Sequence, residues 1–106
     1  MQEIPIRALP RQEFNVLLDD QQCTILLYQR GLYMYMDLTV NGELVTAGAI
    51  CLDGANLVQY PTTKFKGSLH FADSLGTDPP RYAELNTRFF LLYLSENEEK
   101  PEWMKY

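Results

Sequence analysis

Two runs of alternating residues joined by Asn41-Gly42 constrain this chain more than any other feature. Both central positions of a type I′ turn need positive φ, and Asn-Gly meets that need at low steric cost. Residues 33–40 and 43–47 therefore read as the two arms of a β-hairpin. In the first arm Tyr33, Tyr35, Asp37 and Thr39 share one face, and Met34, Met36, Leu38 and Val40 share the other. The methionine face is the expected core, and the tyrosine face reads as half-wet cross-strand packing.

The rest of the chain repeats the theme. Residues 14–18 and 23–28 are rich in apolar and β-favouring types, and the polar run Asp19-Asp20-Gln21-Gln22 separates them as a four-residue hairpin connection. Short strands are expected at 49–52, at 57–60 (stopped by Pro61) and at 67–72. In the last of these Leu69 and Phe71 point opposite to Ser68 and His70. The segment 73–80 is dense in turn formers, 82–87 has room for one helical turn, and 88–94 closes as an apolar strand. About eight short strands with hairpin spacing imply a small single-domain antiparallel β-barrel or sandwich, all-β, over residues 1–94. Residues 95–106 read as an irregular extension, acidic through Glu96, Glu98, Glu99 and Glu102 and ending in Trp103, Met104 and Tyr106.

Charge and cysteine usage narrow the function classes. Nine basic and 14 acidic residues give a net charge of −5, which argues against an electrostatic grip on nucleic acid or on an anionic membrane. No apolar run approaches the ~20 residues of a membrane helix. The start of the chain lacks a basic region followed by an apolar one, so no signal peptide is expected. Cys23 and Cys51 sit in apolar runs and read as reduced core thiols, although spacing alone does not settle a disulfide. With one histidine, they cannot supply the four ligands of a structural zinc.

Catalytic constellations are thin. His70 must serve any Ser-His-Asp or Cys-His mechanism and has no sequence-visible partner, so it reads as a solvent-facing or structural histidine. Asp73 and Asp78 flank Gly76 without the alternating ligands or terminal Glu of an EF-hand, and Asx turns explain them better. The glycines are scattered one per turn rather than grouped to cradle a phosphate. No cofactor is expected. Arg88 follows a loop holding Asp73, Asp78 and Glu84 and enters an apolar strand, so a structural carboxylate pairing is expected for it.

Recognition rests on residues 67–94. Gly67, Leu69, Phe71, Asp73, Gly76, Asp78 and Pro79 come first, followed by Tyr82, Leu85, Arg88-Phe89, Leu91 and Tyr93. Their order and spacing resemble the phage baseplate plug family of contractile-tailed phages. Earlier residues agree: Ile4-Pro5, Cys23, Asp37-Leu38, Val40, Gly42, Gly48, Cys51-Leu52 and Leu57-Val58. The chain departs from the pattern at Pro80-Arg81 and at Glu84 and Asn86. The resemblance implies a non-enzymatic structural protein of the virion that plugs or caps the central hub of the tail baseplate. It also implies assembly in the host bacterial cytoplasm, with hub, spike, tube or wedge subunits as partners and three or six copies around the tail axis. Partner contacts are expected on the loop, through Asp73, Asp78, Pro79, Pro80, Arg81 and Tyr82, and on the tail, through Trp103 and Tyr106. Two other classes stand beside this one. A small-ligand-binding β-barrel is suggested by the Tyr33-Tyr35 face, and a hydrolase rests on His70 alone.

Overall fold

Tight hairpins build most of the molecule. The computed structural model describes residues 1–58 and 64–104. Within them run β1 (Gln2–Ile4), β2 (Arg11–Leu18), β3 (Gln21–Arg30), β4 (Tyr33–Val40), β5 (Glu43–Ile50), β6 (Ser68–Asp73) and β7 (Phe89–Leu94). Strands β2 to β5 form an antiparallel meander in chain order, and a second antiparallel sheet has the order β1-β7-β6. The fold is all-β, as expected. The two sheets do not close into a barrel, so the sandwich-like alternative is the one that fits.

Turn chemistry explains the meander and corrects one boundary. Asn41 and Gly42 hold φ of 50° and 83°, as a type I′ turn requires. Asp19 and Asp20, at φ 48° and 63°, make a second turn of the same hand. Leu18 pairs with Gln21, so that connection has two residues rather than the anticipated four. Gln21 joins β3 because its buried amide is fully used. Its Nε2 donates to Leu18 O (3.0 Å) and Lys66 O (3.1 Å), and its Oε1 accepts from the Lys66 N–H (2.8 Å). A polar composition that suggests a loop is here a clamp between the meander and the segment leading into β6.

Other expectations shift more modestly. The strand anticipated at 49–52 is the end of β5, which stops at Ile50, and the three-residue β1 was not anticipated. Leu57 and Val58 lie in a bend, and Gln59, Tyr60 and Pro61 fall outside the described residues. The helical turn is a 3₁₀ turn at Tyr82–Glu84. β5 is irregular: its register against β4 shifts, Gly48 sits at φ 65°, and the Gly48 N–H donates to Asp37 Oδ1 (2.7 Å).

The two sheets share one core. Cys23, Ile25 and Leu27 of β3 and Met34, Met36, Leu38 and Val40 of β4 are all buried, and they pack with Ile4, Leu69, Phe71, Phe89, Leu91 and Tyr93. The alternation expected of β6 does not appear as inside and outside, because Ser68, Leu69, His70 and Phe71 are all buried. The segment after β5 covers its outer edge: the Gly54 N–H donates to Phe71 O (2.8 Å) and the Leu57 N–H to Leu69 O (2.9 Å).

Cys23 and Cys51 are free thiols inside this core. Burial pushes the Cys23 thiol up to about 11 and raises that of Cys51 as well. Thiol titration of the native protein is therefore expected to show almost no reaction, and the denatured protein two thiols; a fast-reacting native thiol contradicts this packing. Gly67 supplies a second check. It holds φ 95°, and a Cβ there would lie 2.5 Å from Leu94 O. Gly67→Ala is expected to destabilise the fold by about 3 kcal/mol in denaturant titration, since backbone strain and overpacking add.

Candidate partner-binding site

The loop that follows β6 is organised by one carboxylate. Asp73 ends β6, and its side chain is 0% exposed. Its Oδ1 accepts from Arg88 Nε (2.8 Å) and from the Leu75 N–H (2.9 Å). Its Oδ2 accepts from the Arg88 guanidinium (2.8 Å) and from the Asp78 N–H (2.9 Å). This two-pronged arrangement is the strongest geometry available to a guanidinium and a carboxylate. The Arg88 fork, helped by the Leu75 and Asp78 amides, holds the Asp73 carboxyl well below the usual carboxylate range.

Charges of alternating sign extend outward from this pair. Arg88 also reaches Asp78 Oδ2 (3.0 Å) and Glu84 Oε2 (3.6 Å). Arg81 contacts Glu84 Oε1 (3.2 Å) and Asp78 Oδ2 (3.6 Å). Both guanidinium groups lie over the Phe89 ring, 4.9 Å from its centre for Arg88 and 5.2 Å for Arg81. The structural pairing expected of Arg88 is thus a network in which Asp73, Asp78 and Glu84 all take part.

The expected contact residues occupy different situations. Asp73 faces inward; Asp78 is exposed; Pro79 is half-buried and Pro80 buried. Arg81 is partly exposed, and Tyr82, 39% exposed, has its N–H donated to Gln29 Oε1 (3.2 Å). Leu75, at 77% exposed, crowns the loop and was not singled out from sequence. A leucine among turn formers was the available signal. Trp103 is 41% exposed, and Tyr106 falls outside the described residues.

Loop and tail are rooted at opposite ends of β3. Tyr82 bonds to Gln29, whereas the tail begins beside Asp19, whose Oδ2 accepts from Ser95 Oγ (2.6 Å) and Tyr93 OH (2.9 Å). Further on, Glu98 pairs with the N-terminal ammonium, and Met104 is buried. The tail is therefore anchored along part of its length.

His70 is enclosed. It is 0% exposed, with Nδ1 on Gly54 O and Nε2 on Ser68 Oγ, both at 2.8 Å. Burial pushes its pKa down, so the neutral ring satisfies both neighbours. The adjacent Ser68 hydroxyl is buried with it, and no substrate reaches the pair as it stands. Tyr35 stacks on Tyr28, its partner across β3 and β4, with ring centres 5.8 Å apart. Among the described residues no group of three His, Cys, Asp or Glu side chains is placed to hold a metal ion, and no helix is long and apolar enough to cross a membrane.

With this geometry in hand, comparison with known proteins is decisive. A family model described as the cyanophage baseplate Pam3 plug gp18 matches residues 1–97. The chain belongs to that family. The phage baseplate plug resemblance carried by the 67–94 residues is the same relationship. A search of curated proteins finds no match. As a member of the plug family the chain is a structural protein of a phage tail baseplate.

The Asp73–Arg88 fork sets a pH and mutational signature. A carboxylate whose folded pKa lies below its unfolded value adds stability above ~pH 4 and loses it as pH falls toward the folded value. Thermal midpoints are therefore expected to drop as pH falls from ~5 to ~2, with a shallower drop in Asp73→Asn. At neutral pH Arg88→Ala is expected to lower the midpoint by on the order of 10 °C, because the carboxylate stays buried without its partner. Arg88→Lys restores only part of this, since an ammonium cannot form the fork. An unchanged midpoint in Arg88→Ala would contradict the role assigned to the pair.

Proposed function

We propose that this chain plugs or caps the central hub of a contractile tail baseplate through protein–protein contacts, without catalysing a reaction. The family match over residues 1–97 carries the proposal. The site supports it in kind: an ion-paired loop presents Leu75, Asp78, Arg81 and Tyr82 on a frame that loses little freedom on docking. Pro79 and Pro80 stiffen the loop from behind, and Asp73 acts through the shape it imposes. The tail adds Trp103 and Tyr106, residue types enriched among interface anchors. Neighbouring hub, spike, tube or wedge subunits are the partners of this reading. It places the protein in the virion, assembled in the bacterial cytoplasm, with three or six copies around the tail axis.

Co-expression with the products of neighbouring tail genes tests the proposal: the chain is expected to co-elute with at least one of them on size exclusion. Failure to join any tail protein, with the chain folded, overturns it. Within that experiment Trp103→Ala separates a Trp103 that docks on a partner from one that packs on the protein's own surface. If Trp103 docks, the thermal midpoint stays within about 3 °C of the parent. Co-elution then weakens at least ~10-fold, as loss of an interface anchor does. Removing residues 96–106 is expected to lower the midpoint as well, because Glu98 and Met104 leave their contacts.

A further inference from the structure

The sheet edges of this molecule are treated unequally. The outer edge of β6 is covered by the 53–57 segment. β5 is broken by shifted register and by Gly48 at positive φ. β1 has three residues. Bulges, covering segments and short length are the usual devices against unwanted strand pairing. β2 is different: its eight residues pair with β3 in unbroken register, among the described residues no strand lies on its other side, and the preceding segment is tied to it through the Gln12 side chain.

The open groups on that edge follow from the register. The Gln29 N–H donates to Pro10 O (2.8 Å), so this opposed pair is a hydrogen-bonded one. Bonded and non-bonded pairs alternate along an antiparallel ladder. Gln12, Phe14, Val16 and Leu18 therefore bond to β3, while Arg11, Glu13, Asn15 and Leu17 turn their N–H and C=O groups outward. Alongside lies a groove of about 790 Å³ between this strand and the preceding segment, with Arg7, Leu9, Arg11, Phe14 and Val16 among its walls. Gln12 holds the groove's far wall in place, its Nε2 donating to Arg7 O (2.6 Å) and its Oε1 accepting from the Arg7 N–H (3.0 Å).

Charge indicates what the groove takes. Arg81, Arg88 and Lys64 all have carboxylate partners. Among the described residues Arg7, Arg11, Arg30, Lys66 and Lys100 form no ion pair, and the three arginines are exposed and close in the strand layout. In a chain of net charge −5 Arg7, Arg11 and Arg30 concentrate positive charge where β2 begins and β3 ends. Glu13 is the acidic residue of the groove wall, which places the partner's carboxylates toward the Arg7–Arg11 end.

We infer that the free edge of β2 is a strand-addition site that takes an extended, carboxylate-bearing segment of a neighbouring baseplate protein. Main-chain hydrogen bonds to residues 11, 13, 15 and 17 supply the grip, Leu9, Phe14 and Val16 the apolar contact, and Arg7 and Arg11 the register. This rests on the proposed function only in naming the partner's source; the edge itself can be read with a synthetic probe.

The probe is a heptapeptide alternating Val and Glu, titrated into the full-length, isotopically labelled protein. Amide shifts are expected at Arg11, Glu13, Asn15 and Leu17. Binding should weaken at least tenfold in Arg7→Glu/Arg11→Glu and with a Val–Lys peptide. Shifts that are absent, that fall elsewhere, or that survive the charge reversal overturn the inference. Concentration-dependent pairing of the free protein through β2 would overturn the acidic partner in favour of a second copy. In the co-elution experiment Glu13→Pro, which removes one outward donor, and Arg7→Glu/Arg11→Glu should both lose the tail partner while keeping a parental thermal midpoint. If these folded variants co-elute normally, the edge inference fails and the plug reading stands. If the parent joins no tail protein, the plug reading fails, and the peptide titration still decides the edge.

Discussion

Everything on the loop side of this molecule depends on a buried carboxylate that is fully satisfied. Asp73 receives two bonds from Arg88, 15 residues away in sequence, and one each from the Leu75 and Asp78 amides. An isolated buried carboxylate would be costly, and a fork plus two amides removes that cost. The same four bonds fix the ends of the loop relative to one another. Phe89 lies beneath both guanidinium groups, so the ion pairs and the start of β7 hold each other in place. The crest residue Leu75 is raised into solvent by a loop that has little freedom to fold it back.

A second polar knot works at the opposite end. Asp19, in the β2–β3 turn, accepts from Tyr93 of β7 and from Ser95 at the root of the tail. Gln21 ties the same turn to Lys66. These contacts join the four-stranded sheet to the three-stranded one where no strand pairing does so. Among the described residues no buried side-chain nitrogen or oxygen lacks a hydrogen-bond partner. Both ends of the sandwich are thus tied. The free edge of β2 runs from Arg11 to Leu18, which the second knot holds through Gln21.

Much of this was legible in the chain because hairpins are local. Asn41-Gly42 announced its turn, and the faces of β4 followed from alternation, with the methionines inward. Burial of both cysteines followed from their apolar neighbours. Arg88 was readable as a paired residue because an arginine entering an apolar strand after three acids has few other fates. The errors had a common cause, which was judging polar residues by type. Gln21 looked like loop and is a buried clamp. His70, for which a solvent-facing place was one expectation, is sealed between Gly54 and Ser68. Asp73 was read correctly as a loop-forming carboxylate and as a candidate partner of Arg88.

The all-β class, the main hairpin, the core face of β4 and the family relationship could be read along the chain, because each depends on residues near one another or on their order. The folded chain settled that the sheets stay open, that Asp73 rather than Asp78 is the centre of the charge network, and that loop and tail are rooted at opposite ends of β3. It also decided which strand edge is left uncovered. These outcomes depend on which distant groups meet: a donor from Lys66 or Tyr93, and a covering segment over β6. Such meetings are settled when the whole chain buries its apolar surface together, and no local pattern encodes them.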